Sequence, residues 1–103
     1  MAAQPNINTE IFSLLPGSWT NETTKDIWNF KPQKNTGYNP LKIIQSDTGM
    51  KMVFAYKIIL EEKTFFLDID DKYFQIIEIN SGSPQKITLK NPADKLIVLQ
   101  RLQ

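Results

Sequence analysis

Turn residues divide the chain at short, regular intervals after Gly17, and this feature constrains the fold more than any other. Between the turns lie eight strand-like segments, at 17–23, 26–32, 40–46, 50–60, 64–69, 72–80, 85–90 and 95–102. The intervening residues, such as those at 47–49 and 91–94, are of types that favour turns. Connections this short join antiparallel neighbours, because parallel strands need a long crossover. The sequence therefore predicts an all-β, up-and-down meander.

The longest segment, 50–60, shows most clearly which face of the sheet is buried. Its large apolar side chains alternate with a mixed set and would share one face: Met50, Met52, Phe54, Tyr56, Ile58 and Leu60. A meander with one apolar face can close into a barrel, or it can form two stacked sheets or a half-open barrel. Short hairpins throughout favour the closed, eight-stranded antiparallel β-barrel over residues 17–102.

The segment 72–80 departs from simple alternation. Phe74 and Ile76 occupy one face, whereas Ile77 and Ile79 occupy the other. Either a β-bulge switches the face partway along the strand, or both faces are covered. We favour the bulge. In the neighbouring segments the inward residues are Phe65, Leu67 and Ile69, and then Ile87 and Leu89.

The residues before Gly17 have a different pattern. Residues 1–6 resemble a flexible terminus, and residues 8–15 have apolar positions at helical spacing. Pro16 ends this short helix, because its ring cannot continue the hydrogen-bond ladder. Such a helix needs apolar support, so we expect it to close one end of the barrel. Residues 1–103 together are predicted to form a single domain.

Composition excludes several classes of function. The chain has no cysteine and no histidine, so thiol catalysis, a Ser-His-Asp triad and Cys or His zinc sites are impossible. The net charge is +1 and the basic residues are dispersed, which argues against nucleic-acid binding. Asp68, Asp70 and Asp71 lack the spacing of a calcium loop and are interpreted as solvated turn residues. No metal or cofactor is expected.

Location follows from equally simple features. The first residues show no charged region followed by an apolar one, and no stretch is long enough for a membrane-spanning helix. The chain as written is therefore expected to be cytoplasmic, or periplasmic or extracellular if a leader was removed.

A ligand pocket, if present, would lie on the inward face of the strands. Methionine suits adaptable apolar surfaces, and a tyrosine hydroxyl can orient a polar group. The candidate lining residues are Trp28, Phe30, Met52, Phe54, Tyr56, Phe65 and Leu67. The same side chains could instead simply fill the core, because an eight-stranded barrel is either filled or holds one small ligand.

The motif Gly17-Ser18-Trp19 opens the first strand, and Arg101 lies on the last. With eight meandering strands, this combination resembles the lipocalin-like, or calycin, barrels, and more narrowly the short bacterial lipocalin-like domains. The resemblance covers residues 14–102. It implies that Gly17, Trp19 and Arg101 are structural, with Arg101 stacked across Trp19 at the closed end of the barrel.

Three functions remain, in decreasing order of support. The first is a non-catalytic lipocalin-like protein that binds a small apolar or amphipathic ligand such as a lipid, fatty acid or pigment. The alternative is an interaction or scaffold module with a filled core, binding a protein partner or forming a homodimer through outward residues such as Val53, Ile59 and Phe66. An enzyme comes third, because no catalytic constellation is visible.

Overall fold

Eight strands in sequence order form one closed sheet. The structure is a computed structural model and describes Ile11 and residues 13–32, 37–80, 82 and 84–102. The strands are β1 Gly17–Asn21, β2 Ile27–Phe30, β3 Asn39–Ile44, β4 Lys51–Glu61, β5 Thr64–Ile69, β6 Lys72–Asn80, β7 Lys86–Lys90 and β8 Leu96–Arg101. Each strand pairs antiparallel with the next, and β8 pairs with β1. The predicted all-β, eight-stranded meander barrel is confirmed.

Strand β4 belongs to two different strand pairs. Its first half pairs with β3 and its second half with β5, and Tyr56 lies opposite both Asn39 and Ile69. The apolar face predicted over 50–60 is therefore buried in its middle only. At its ends Met50 and Leu60 lie next to turns and are 56% and 58% exposed, so the expectation that the whole face is buried was wrong there.

The bulge predicted in segment 72–80 is present in β6. The register with β7 shifts between Ile76 and Glu78, which leaves Ile77 as the extra residue. Ile76 is consequently buried at 3% exposure, whereas Ile77 is 40% exposed, and the inward face continues at Ile79. The bulge explains why this strand does not alternate simply.

Two hairpins close with residues that have unfavourable backbone angles. Glu62 and Lys63 between β4 and β5 have φ values of 49° and 69°, and Asp70 and Asp71 between β5 and β6 have 51° and 69°. A two-residue loop with both φ angles positive is the type I′ turn, whose twist matches the flanking strands. The geometry of the sheet thus overrides the usual preference for Asn and Gly.

The segment before β1 lies against one end of the barrel. Ile11 and Leu15 are fully buried, and the Leu15 amide donates to the Ile11 carbonyl at 3.1 Å. Half of the helix predicted over 8–15 lies outside the described residues, as does the whole terminus at 1–6. The described part amounts to a single turn, so the predicted helix is unsupported. We call the end formed by Ile11, Leu15, Trp19 and Arg101 the floor of the barrel.

Candidate functional site

The inner wall of the barrel brings together all the side chains that were predicted to line a pocket. They belong to one apolar cluster contributed by β2, β4 and β5: Trp28, Phe30, Met52, Phe54, Tyr56, Phe65 and Leu67. Five are buried, whereas Met52 and Phe54 retain partial exposure. The remaining buried strand residues of this wall are aliphatic or part of the floor: Trp19, Leu41, Ile43, Ile69, Ile76, Ile87, Leu89 and Leu99.

Aromatic rings form a continuous series inside the barrel. The Trp28 and Phe30 ring centroids are 6.1 Å apart, and Phe30 meets Tyr56 edge-on at 5.0 Å. Trp28 also meets Phe74 of β6 edge-on at 6.5 Å. Sequence reasoning did not include Phe74 among the lining residues, because the irregular pattern of β6 left its inward face uncertain. The bulge predicted in this strand was the feature that could have identified Phe74 as an inward residue.

Tyr56 is the polar member of this ring series. Its side chain is fully buried, and its hydroxyl donates a 2.5 Å hydrogen bond to the Lys31 carbonyl. Burial raises the pKa of Tyr56 to about 12, because the phenolate would be poorly solvated there. Tyr56 therefore remains neutral, and its hydrogen is already used within the protein.

The floor is held together by Arg101. Its guanidinium lies over the Trp19 ring, 4.1 Å from the centroid, as the resemblance implied. The Nε atom donates to Gln85 Oε1 at 3.0 Å, and the two terminal nitrogens donate to the Pro16 carbonyl at 3.0 Å and the Leu14 carbonyl at 2.5 Å. Burial lowers the pKa of Arg101 from its usual value. One cation thus joins the last strand to the segment before the first.

Trp19 and Gly17 complete the floor. Trp19 is fully buried, and its indole Nε1 donates to the Leu15 carbonyl at 2.8 Å. Gly17 has a φ of +123°, and a Cβ at this position would overlap a terminal nitrogen of Arg101. Glycine is needed here for two reasons, the backbone angle and the space that the guanidinium occupies.

The burial of Asp68 differs from what the sequence predicted. Asp68 lies on the outward face of β5 yet is only 3% exposed, so its interpretation as a solvated turn residue was wrong. The Tyr38 hydroxyl donates to Asp68 Oδ2 at 2.6 Å, and the Asp71 amide donates to Oδ1 at 2.8 Å. Lys57 Nζ lies 4.8 Å from the Tyr38 ring centroid on the same outer surface. Tyr38 lies far away in sequence, which is why the sequence pattern missed this cluster.

An open depression of about 580 Å³ beside the β4–β5 turn is lined by Glu61, Glu62, Thr64 and Phe66. The acidic residues in the described part of the chain form no group of three that could hold a metal ion. Among those same residues, no helix has the length and hydrophobicity needed to cross a bilayer.

Comparisons of the chain with protein-family models, with curated proteins and with solved structures found no significant match. The closed eight-stranded barrel agrees with the architecture that the lipocalin-like resemblance implies.

Proposed function

We propose that the protein is a non-catalytic binding protein, lipocalin-like in character, that holds a small apolar or amphipathic molecule inside its barrel. One observation carries this proposal: part of the inward apolar wall is not fully buried. The side chains that pack against the core yet retain exposure on the strands are Met52, Phe54, Ile58, Phe74, Ile79 and Ile97. When a ligand covers apolar surface of this kind and removes it from water, the free energy falls, which favours binding.

The partly exposed wall is adjacent to the ring series. Phe74 contacts Trp28, and Phe54 is on the same face of β4 as Tyr56. Aromatic side chains provide large, rigid contact surfaces, and methionine adapts its shape to a ligand. This combination supports a ligand that is held by shape and apolar contact rather than by a dense set of hydrogen bonds.

The floor supports access from the opposite end. Four hydrogen bonds, from Trp19 to Leu15 and from Arg101 to Leu14, Pro16 and Gln85, fix the segment before β1 and the loop before β7. A ligand entering through the floor would have to break several of them. We therefore place the opening at the end that carries the β1–β2, β3–β4, β5–β6 and β7–β8 turns.

The test is a titration with the neutral apolar dye N-phenyl-1-naphthylamine. Saturable one-to-one binding with a micromolar Kd is expected, together with energy transfer from Trp28 to the dye. Trp28→Phe keeps a ring in the wall but removes the nearby donor, so the transfer should fall while dye binding persists. Absence of saturable binding by the wild-type protein would contradict the proposal.

Phe54 and Val53 offer a matched pair of variants on β4. Phe54 lies on the inward face of β4, whereas Val53 faces outward and is 68% exposed. Phe54→Trp should occupy ligand space and weaken dye binding at least tenfold, about 1.4 kcal/mol. Val53→Trp should leave the Kd unchanged. Equal effects of the two substitutions would place the dye outside the barrel, and thermal melts would show that both variants are folded.

A second candidate is the interaction module with a filled core. Phe66 and Tyr73 meet on the outer face with ring centroids 5.9 Å apart, and Tyr73 and Ile77 of β6 are exposed. Exposed apolar side chains of this kind can mark a protein-binding surface when they lie together. Sedimentation of a monomer at high concentration would contradict the self-associating version. Dye binding that responds to Phe54→Trp but not to Val53→Trp would favour the first function instead.

A further inference from the structure

We propose that the ligand of the barrel is an uncharged molecule, and that a carboxylate of the same chain length is discriminated against. This inference rests on the proposed function and narrows it, because lipids, pigments and fatty acids differ in charge. It follows from how the polar groups inside the barrel are already used.

The buried polar side chains of the described residues are Asn21, Asn39 and Asp68. Asn21 Oδ1 accepts from the amides of Thr23 and Thr24, at 2.9 and 3.2 Å, and so holds the β1–β2 turn. Asn39 Nδ2 donates to the Gly37 carbonyl at 3.0 Å and holds the start of β3. Asp68 lies on the outer face. These hydrogen bonds serve the loops and the outer surface.

Among the described residues, Tyr56 in the wall and Arg101 in the floor could otherwise recognise an anion. The Tyr56 hydroxyl donates to the Lys31 carbonyl, which is itself a strong acceptor. Arg101 is bonded through all three of its nitrogens, and the Trp19 ring covers one face of the guanidinium. A ligand carboxylate that took either group would compete with these hydrogen bonds, at a cost comparable to the bond it gained.

The described part of the wall is apolar, and such a wall is unfavourable for charge. A carboxylate loses its hydration when it enters such a wall, and the loss is large unless a partner replaces the water. A neutral ester or alcohol of the same chain length buries the same apolar surface with a much smaller desolvation cost. Lys72 at the start of β6 follows the inward register but is exposed at the rim, where water screens it.

The experiment compares matched ligands in displacement of N-phenyl-1-naphthylamine at pH 8. A straight-chain fatty alcohol and the fatty-acid methyl ester should displace the dye at concentrations at least tenfold lower than the free acid of the same chain length. Equal or better displacement by the acid would overturn this inference while leaving the proposed function intact, and would point to an ion pair at the rim. Binding of the dye without displacement by any of the three would overturn the inference too. Failure of the dye itself to bind would overturn the proposed function.

Two lysine variants test the physical cause. Met52→Lys adds a cation at the partly exposed, inward part of β4, whereas Val53→Lys adds one to the outward face of the same strand. The first should improve displacement by the free acid relative to the alcohol at least tenfold, and the second should not change the ratio. An unchanged ratio in a folded Met52→Lys protein would contradict the inference. If that variant fails to fold, Phe54→Lys provides the same test one inward position farther along.

Discussion

The hydroxyl of Tyr38 donates a 2.6 Å hydrogen bond to Asp68, a carboxylate buried on the outer face of the barrel. The bond to Asp68 is the largest cause that raises the pKa of Tyr38 to about 12. The unfolded chain should ionise its tyrosines near pH 10. The pKa of Tyr38 is higher in the folded protein than in the unfolded chain. The stabilisation that its protonated hydroxyl provides is therefore complete below about pH 10 and is lost as the pH rises through about 12.

Asp68→Asn should lower the pKa of Tyr38, because it removes the charge that opposes phenolate formation. Absorbance of tyrosinate during an alkaline titration measures the shift. Tyr56→Phe is the matched control, since it removes the other tyrosine that titrates near pH 12 and leaves Tyr38 untouched. An alkaline titration that is the same in wild type and Asp68→Asn would contradict the role of this bond.

Trp19→Ala should destabilise the protein by about 3–5 kcal/mol, because it leaves a cavity beneath Arg101 and removes the donor to the Leu15 carbonyl. Urea unfolding followed by circular dichroism measures the change. Val53→Ala, an outward substitution on β4, should stay within about 0.5 kcal/mol of wild type. Similar stability of the two variants would mean that the floor does not depend on Trp19.

Gly17→Ala should destabilise the protein more than Gly49→Ala. Both glycines have positive φ angles, and the backbone cost for alanine in such a conformation is about 1–2 kcal/mol. Gly49 has open space around it, whereas a methyl group at position 17 meets Arg101. The double variant Gly17→Ala with Arg101→Ala should show coupling in a double-mutant cycle of unfolding free energies. Additive effects would exclude the steric contact.

Lys63→Gly should stabilise the protein by about 1 kcal/mol, because its φ of 69° is unfavourable for a side chain and easy for glycine. Lys51→Gly, in an extended part of β4, should instead lower stability by about 0.5–1 kcal/mol. Thermal and urea unfolding of both variants give the comparison. A loss of stability in Lys63→Gly would contradict the type I′ assignment of this turn.

The bulge in β6 predicts opposite behaviour for two adjacent isoleucines. Ile76→Ala should cost about 2–5 kcal/mol, because it creates a cavity in the core. Ile77→Ala should cost much less, since its side chain faces outward. Unfolding free energies provide the measurement. Comparable losses at the two positions would mean that both faces of β6 are covered.

The barrel was accessible to sequence reasoning because period-two alternation and short turns are local signals. The inward positions of Trp28, Phe30 and Tyr56 followed from alternation alone, and the stack of Arg101 on Trp19 followed from a resemblance. The contacts that were not predicted join residues that are far apart in the sequence. Tyr38 contacts Asp68 across β4, and Phe74 contacts Trp28 across the barrel. The alternation of apolar and polar residues in the sequence indicates neither contact. The exposure of Met50 depends on where β3 ends, which the pattern of β4 does not record.

The pairing of β1 with β8 has a consequence for how the chain folds. Trp19 lies opposite Arg101, so the barrel closes by pairing its first strand, β1, with its last strand, β8. During translation, β1 to β7 can pair as they emerge, but β1 and β7 remain open edges until β8 leaves the ribosome. Long-range closure of this kind slows folding, and open edges recruit other chains. A ribosome stalled before β8 would therefore carry a nascent chain that is especially prone to aggregate.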